Sequence, residues 1–199
     1  MNANFWNDRY GIEGFVYGTA PNDFVKAVAP RLPAGPVLCL AEGEGRNAVH
    51  LASLGHEVTA VDQSVTGLAK ARRLAASQNV TITTLVTDLS DYRIAAGAWS
   101  GIVATFAHLP PELRRTLHRQ IVNGLRPGGM YVLEAYTPAQ LGFGTGGPDN
   151  PELLMTLAGL REELNGLDFL IGHEIERPVV EGAFHTGRAA VVQVLAQHP

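Results

Sequence analysis

The sequence predicts a single doubly wound α/β domain, with a mostly parallel seven-stranded sheet that ends in an antiparallel hairpin. Three observations lead there. Short β-branched and apolar runs alternate with helix-like segments of about ten residues, the pattern of repeated βαβ units. Glycine and proline breaks fall between them, at Gly43–Gly45, Gly55, Pro110–Pro111 and Pro127–Gly129. A chain of 199 residues suits one domain spanning 1–199, large enough to bury a core without cross-links.

The elements follow in order. Val37–Ala41 is a short apolar strand running into glycines, and Asn47–Leu54 a helix that stops at Gly55. Glu57–Asp62 is the second strand. Ser64 is placed to cap a helix through about Ser77. Val80–Thr87 is a third strand and Gly101–Phe106 a fourth. Pro111 suits the first turn of a helix to about Gly124. Pro127–Gly129 reads as a turn, Met130–Tyr136 as the fifth strand, and the Gly- and Pro-rich stretch Thr137–Pro151 as a loop. A helix over Leu153–Asn165 and two strands, Asp168–Arg177 and Ala189–Ala196, complete the chain.

Composition excludes several classes. Cys39 is the only cysteine, so neither an internal disulfide nor a four-cysteine metal site is available, and a reducing, cytoplasmic setting is expected. The net charge is −4 with no run of Lys or Arg, which argues against nucleic acid as a substrate. The start MNANFWNDRYG is neither basic nor followed by an apolar run, unlike a signal peptide. No window reaches the roughly 18 apolar residues of a membrane span.

The first chemical signal is VLCLAEGEGRNA, Val37–Ala48. Gly43 and Gly45 lie between a strand and a helix N-terminus, where a bare backbone can approach a ligand and free N–H groups point at it. Alone, the pattern also fits a dinucleotide fingerprint, and a tight turn with no ligand is the plainer alternative. The second signal is Asp62, ending strand two seventeen positions after Gly45, where a carboxylate can accept both ribose hydroxyls of a nucleoside. An N-cap role is the plainer alternative, though Ser64 can fill it. The third is Asp88-Leu89 closing strand three, suited to an adenine amino group and ring nitrogen, followed by the Pro-Gly-Gly turn before strand five.

In this order and spacing the motifs resemble class I S-adenosylmethionine-dependent methyltransferases, over roughly Val37–Tyr136. GEGRNA and the compact length resemble the small tellurite-resistance and thiopurine type within that class. The resemblance implies a Rossmann-like methyltransferase domain: an aromatic cap over residues 1–30, a cofactor-binding core over 37–136, and acceptor-side elements over 137–199. It implies S-adenosyl-L-methionine as cofactor and S-adenosyl-L-homocysteine as product. The implied cofactor contacts are Trp6, Arg9 and Tyr17 from the cap, then Glu42, Gly43, Gly45 and Asn47 from the first turn. Asp62 and Gln63 follow from the second turn, Asp88 and Leu89 from the third, and Phe106 after strand four. Trp6, Tyr10 and Tyr17 suit a sulfonium by cation–π contact, and Arg9 a carboxylate; equally, the aromatics can simply pack the first helix onto the sheet. The sequence departs from the family at Cys39, where an acid is usual, and at Ala41, where glycine is usual. Glu42 and Glu44 lie in the loop instead, either to meet the cofactor ammonium or to orient the turn.

The acceptor should lie outside the carboxyl ends of strands four and five. Candidate catalytic residues there are His108, Arg177 and His185. His108 is the first choice as a general base. Arg177 lacks the preceding histidine of the tellurite-resistance type, having Glu176 instead, and His185 sits in the polar turn GAFHTGR. The expected partner is a small-molecule acceptor with a soft or anionic nucleophile, such as a thiol or chalcogen oxyanion. Nucleic acid and membrane are not expected, and the chain should be a monomer or homodimer. Two rival readings are a nicotinamide-dependent oxidoreductase and a cofactor-binding protein without turnover. The Gly142–Pro151 stretch is either a lid or a slack connection.

Overall fold

The computed structural model describes residues 2–182 and 185–199. Its helices are α1 (Ala3–Tyr10), α2 (Asp23–Val28), α3 (Arg46–Ser53), α4 (Val65–Ser77), α5 (Pro111–Gly124) and α6 (Leu157–Glu163). Its strands are β1 (Pro36–Leu40), β2 (Glu57–Asp62), β3 (Thr83–Val86), β4 (Trp99–Thr105), β5 (Leu125–Tyr136), β6 (Asp168–Glu181) and β7 (His185–Gln197). They form one sheet in the order β3-β2-β1-β4-β5-β7-β6. β1 to β5 pair in parallel and β7 runs antiparallel to both β5 and β6. This is the expected single α/β domain with its C-terminal hairpin.

The sheet is covered on both faces because β1 is apolar on both. Leu38 and Leu40 pack with Leu117 and Ile121 of α5 and Leu160 of α6. Val37 and Cys39 point the other way, to Val25 and Val28 of α2, Ala48 and Leu51 of α3, and Leu68 and Ala71 of α4. Strand alternation thus divides the core into two layers. Strand order reverses between β1 and β4, so a crevice opens outside their carboxyl ends.

Ser64 caps α4 as expected, its hydroxyl accepting from Gly67 N–H at 3.0 Å. Other boundaries differ for local reasons. Val80 N–H donates to Ala75 O, so residues 78–80 terminate α4 and β3 starts only at Thr83. Pro127–Gly129 lies inside β5 rather than before it: the β4 pairing jumps from Leu125 to Met130, and Gly128 bulges out at φ +77°. α6 starts four residues late because Pro151–Leu153 forms its own 3-10 turn, and Thr156 then caps the helix. The Thr137–Pro151 loop contains a 3-10 turn over Pro138–Gly142. The hairpin strands run longer than expected, and His185 begins β7. Residues 183 and 184 of the expected GAFHTGR turn lie outside the described residues. No helix among the described residues is long and apolar enough to cross a membrane.

Candidate active site

A cavity of about 710 Å³ occupies the crevice at the carboxyl ends of β1 to β4. This lies within the range of roughly 300–1,000 Å³ typical of small-molecule sites. The β1–α3 and β2–α4 turns form one wall. The β4–α5 connection, Tyr136, residues 147–150, Leu153 and His185 form the other, and α1 and Tyr17 close the top. Among the expected cofactor contacts, Trp6, Arg9, Tyr17, Glu42, Asn47, Asp62, Gln63, Asp88, Leu89 and Phe106 line it.

Gly43 and Gly45 are not on the lining, and their need for glycine has a different cause from the one expected. Both have positive φ, +61° and +90°. A Cβ on Gly43 would meet the Tyr10 hydroxyl at 2.5 Å, and one on Gly45 would meet Ala71 Cβ at 2.5 Å. The missing side chains let Tyr10 and α4 close on the turn. Ala41 adopts φ +50°, a left-handed conformation that strains a residue bearing a Cβ, which is why glycine is the natural occupant there. Phe106, at φ +53°, is held in the same region as it turns its ring to the cavity.

The two loop glutamates have separate fates. Glu44 is spent on structure: it accepts from Val16 N–H at 2.8 Å and pairs with the Lys70 ammonium at 2.8 Å. Lys70 also donates to Ile12 O and Gly14 O, so this buried pair fastens the cap segment to α4. Glu42 remains on the cavity wall. It accepts from Ala48 N–H at the start of α3 at 2.7 Å, and it lies by the Cys39 thiol, whose pKa burial and the nearby Glu42 push up. Burial pushes its carboxyl up to about 7, although the Ala48 bond and the Arg46 charge oppose the shift. A side chain from the turn thus stands over the strand position where the family carries its acid.

Asp62 fixes the second turn. One oxygen accepts from Gly43 N–H at 2.8 Å and the other from Ser64 N–H at 2.8 Å. Burial raises its pKa, partly offset by these bonds. Each oxygen keeps a further lone pair for a ligand hydroxyl. Asp88 is exposed at the rim and accepts from Ser90 N–H, with buried Leu89 beside it. In the cap, Trp6 stacks on Tyr10 with ring centroids 5.6 Å apart, and Arg9 donates to the Tyr17 hydroxyl at 3.1 Å.

The far wall is aromatic. Phe106, His108, Tyr136 and His185 cluster there: the His108 and Tyr136 rings stack at 5.5 Å, and His185 packs 4.8 Å from Phe106 and 4.6 Å from Tyr17. The His108 Nδ1–H donates to Leu153 O at 3.0 Å, which leaves Nε2 as an acceptor 3.5 Å from Tyr136 N–H. Burial drives its pKa down to about 4, against the effect of the Leu153 bond, so the ring is neutral at physiological pH. Arg177 is not on the cavity wall. Its guanidinium sits behind it, on Glu134 at 2.5 Å, Glu181 at 3.3 Å and Asp23 at 3.3 Å. Asn22 bridges Glu134 and Glu181 at 2.9 Å each, and Gln193 also donates to Glu134. Arg46 completes this buried network by pairing with Glu181 at 2.7 Å.

Arg46 was not singled out from the sequence. Its side chain lines the cavity, and its second terminal nitrogen, Nη1, is buried with no hydrogen-bond partner among the described residues. A buried guanidinium N–H left unpaired is costly, and a ligand carboxylate would satisfy it. The donor set therefore fits S-adenosylmethionine. Arg46 suits the carboxylate, Glu42 the ammonium, Asp62 the ribose hydroxyls, Asp88 and Leu89 the adenine edge, and the Trp6 and Tyr17 rings the sulfonium. When bound, that group supplies an activated methyl.

The comparisons agree. Residues 37–129 match the family model described as a methyltransferase domain. No curated protein sequence matches significantly. Among solved structures, one from work on conversion of a disulfide bond into a thioacetal group during echinomycin biosynthesis aligns at TM-score 0.77 and 20% identity, covering 98% of this chain and 92% of that one. TehB from Haemophilus influenzae aligns at TM-score 0.73 and 19% identity, over 99% of this chain and 67% of the other. Geranyl diphosphate C-methyltransferase from Streptomyces coelicolor A3(2), solved with S-adenosyl-L-homocysteine, aligns at 0.69 and 15% identity, covering 99% and 96%. Residues 37–129 are thus similar to a methyltransferase domain, and the whole chain has the fold of S-adenosylmethionine-dependent methyltransferases.

Proposed function

We propose that the enzyme methylates a small-molecule acceptor through a soft nucleophile, a thiol or a chalcogen oxyanion. The observation that carries this reading is the cavity of about 710 Å³, walled by the cap on one side and residues 147–150 on the other. It has room for the cofactor and a small acceptor. Soft nucleophiles suit it because displacement at a sulfonium methyl depends mainly on alignment and exclusion of water. One structural neighbour comes from work on a conversion at sulfur, which fits the same reading. Catalytic roles for His108, Arg177 and His185 belong to this proposal, Arg177 acting only through Glu134 and Glu181. A cytoplasmic monomer or homodimer that engages neither nucleic acid nor membrane completes it.

The test is release of S-adenosyl-L-homocysteine by the pure enzyme with small thiols and selenite, run beside RNA, DNA and protein. Turnover on a small acceptor supports the proposal. Efficient methylation of a macromolecule overturns it. Cofactor binding with no turnover on any acceptor would favour a binding protein.

A further inference from the structure

We infer that His185, oriented by Glu181, removes the proton from the acceptor, and that the acceptor is a neutral thiol with an apolar body rather than a chalcogen oxyanion. The inference rests on the methyltransferase reading and deepens its acceptor half.

His185 stands on the cavity wall, wedged between the rings of Tyr17, Phe106 and Tyr136. Its Nδ1 faces Glu181 Oε2 at 3.7 Å and has no hydrogen-bond partner among the described residues. That distance is too long for a hydrogen bond, but catalytic contacts commonly tighten when substrate binds. Glu181 is fixed by Asn22, Arg46 and Arg177. Burial raises its pKa, but the His185, Arg46 and Arg177 contacts outweigh this and hold the carboxyl at about 2. A permanent carboxylate facing Nδ1 keeps the proton on that nitrogen and leaves Nε2 as the base. His108, by contrast, has both nitrogens engaged by backbone.

The acceptor-side wall selects the acceptor. Phe106, Leu109, Pro110, Leu113, Pro148 and Leu153 line it, while the two arginines on the cavity lining, Arg9 and Arg46, come from the cap and the β1–α3 turn on the cofactor side. An inorganic oxyanion would lose its water there without gaining a cation. An apolar thiol needs no cation, and the Tyr136 hydroxyl, without a hydrogen-bond partner among the described residues, can donate to its sulfur. The step balances. Nε2 takes the thiol proton as the acceptor sulfur bonds to the methyl carbon. The donor's carbon–sulfur bond breaks with its electron pair staying on the donor sulfur, and the imidazolium later loses its proton to water.

The charged and titratable groups around His185 are Glu181 and Arg177 from β6, Arg46 from α3, Tyr17 from the cap, Tyr136 from β5 and His108 after β4. Phenylmethanethiol, an alkyl thiol that stays protonated at neutral pH, and selenite serve as probe acceptors, with S-adenosyl-L-homocysteine titrated into the same preparations. Phenylmethanethiol should be methylated and selenite not. His185→Ala should lose about 10²- to 10⁴-fold at neutral pH and recover at alkaline pH as the thiol ionises in solution, a recovery that a folding defect would not show. Imidazole NMR of the S-adenosyl-L-homocysteine complex should show the His185 proton on Nδ1, a tautomer lost in Glu181→Gln and restored in Glu181→Asp, with His108 unmoved. Selenite turnover without thiol turnover, a larger loss in His108→Ala, or an unchanged His185 tautomer in Glu181→Gln overturns the inference. S-adenosyl-L-homocysteine binding with neither probe turned over also overturns it, leaving the cofactor site intact. Absence of S-adenosyl-L-homocysteine binding would instead defeat the methyltransferase reading.

Discussion

The two walls of the cavity are built differently. The cofactor wall is made of turns: Glu42, Asp62 and Asp88 each end or follow a strand and bond to backbone N–H groups at most six residues away or in the neighbouring turn. The acceptor wall is tied together by side chains far apart in sequence, with Asn22, Arg46, Glu134, Arg177, Glu181 and Gln193 converging on two buried carboxylates. A turn carries its ligand geometry locally, whereas a buried ion network holds only if every partner is present. The first wall should thus tolerate single losses with local effects on binding, and the second should couple its losses to folding.

The largest effect expected from this contrast is at Glu134, which is fully buried. Glu134→Ala strands the Arg177 guanidinium and the Asn22 and Gln193 amides, and should cost about 3–5 kcal/mol of stability. Chemical denaturation would measure it. A loss below about 1 kcal/mol would mean that the network is wet or already loose, and the contrast between the walls would collapse. A smaller and more local effect belongs to Asp62→Ala. It should weaken S-adenosyl-L-homocysteine binding by about 1–3 kcal/mol, read by calorimetry. An unchanged affinity would remove Asp62 from the ribose site.

The same contrast explains what the sequence revealed. Asp62 and Asp88 were legible because one ends β2 and the other lies just past β3, at fixed offsets from a glycine turn, and Ser64 because caps are local. Glu44 and Glu42 looked equivalent in the sequence. Only the fold, which brings Lys70 and Val16 to Glu44, separates them. Arg46 sat in the quoted motif, yet its role depends on Glu181, 135 residues away. Arg177 was expected at the acceptor from its place by the last hairpin and the resemblance to the tellurite-resistance type, but neither says which face a side chain takes. On β6 its guanidinium turns to Glu134 behind the cavity. The Gly142–Pro151 stretch gave no sign that Gly147 would lie against the Tyr136 ring or that Thr145 would donate to Arg188 O.

The smallest expected effect is a pH dependence confined to the cofactor wall. Burial holds the Glu42 carboxyl at about 7, well above its ordinary 4.5. Below that pH the carboxyl carries a proton, and a cationic amino group must displace it to bind. S-adenosyl-L-homocysteine affinity should therefore fall as pH drops from 7, approaching tenfold per unit, and be flat above about pH 8. Calorimetry in buffers of different ionisation enthalpy should detect about one proton released per binding event near pH 6 and almost none at pH 8. In the free enzyme the sign reverses: a carboxyl with a raised folded pKa contributes its stability below 4.5 and loses it as pH rises through 7, so the melting temperature should fall over that interval. Glu42→Gln should abolish both slopes while leaving the Glu134 network unaffected. If the slope of affinity survives in Glu42→Gln, the ammonium lies elsewhere, and the turn glutamate serves only to hold Ala48 and the start of α3.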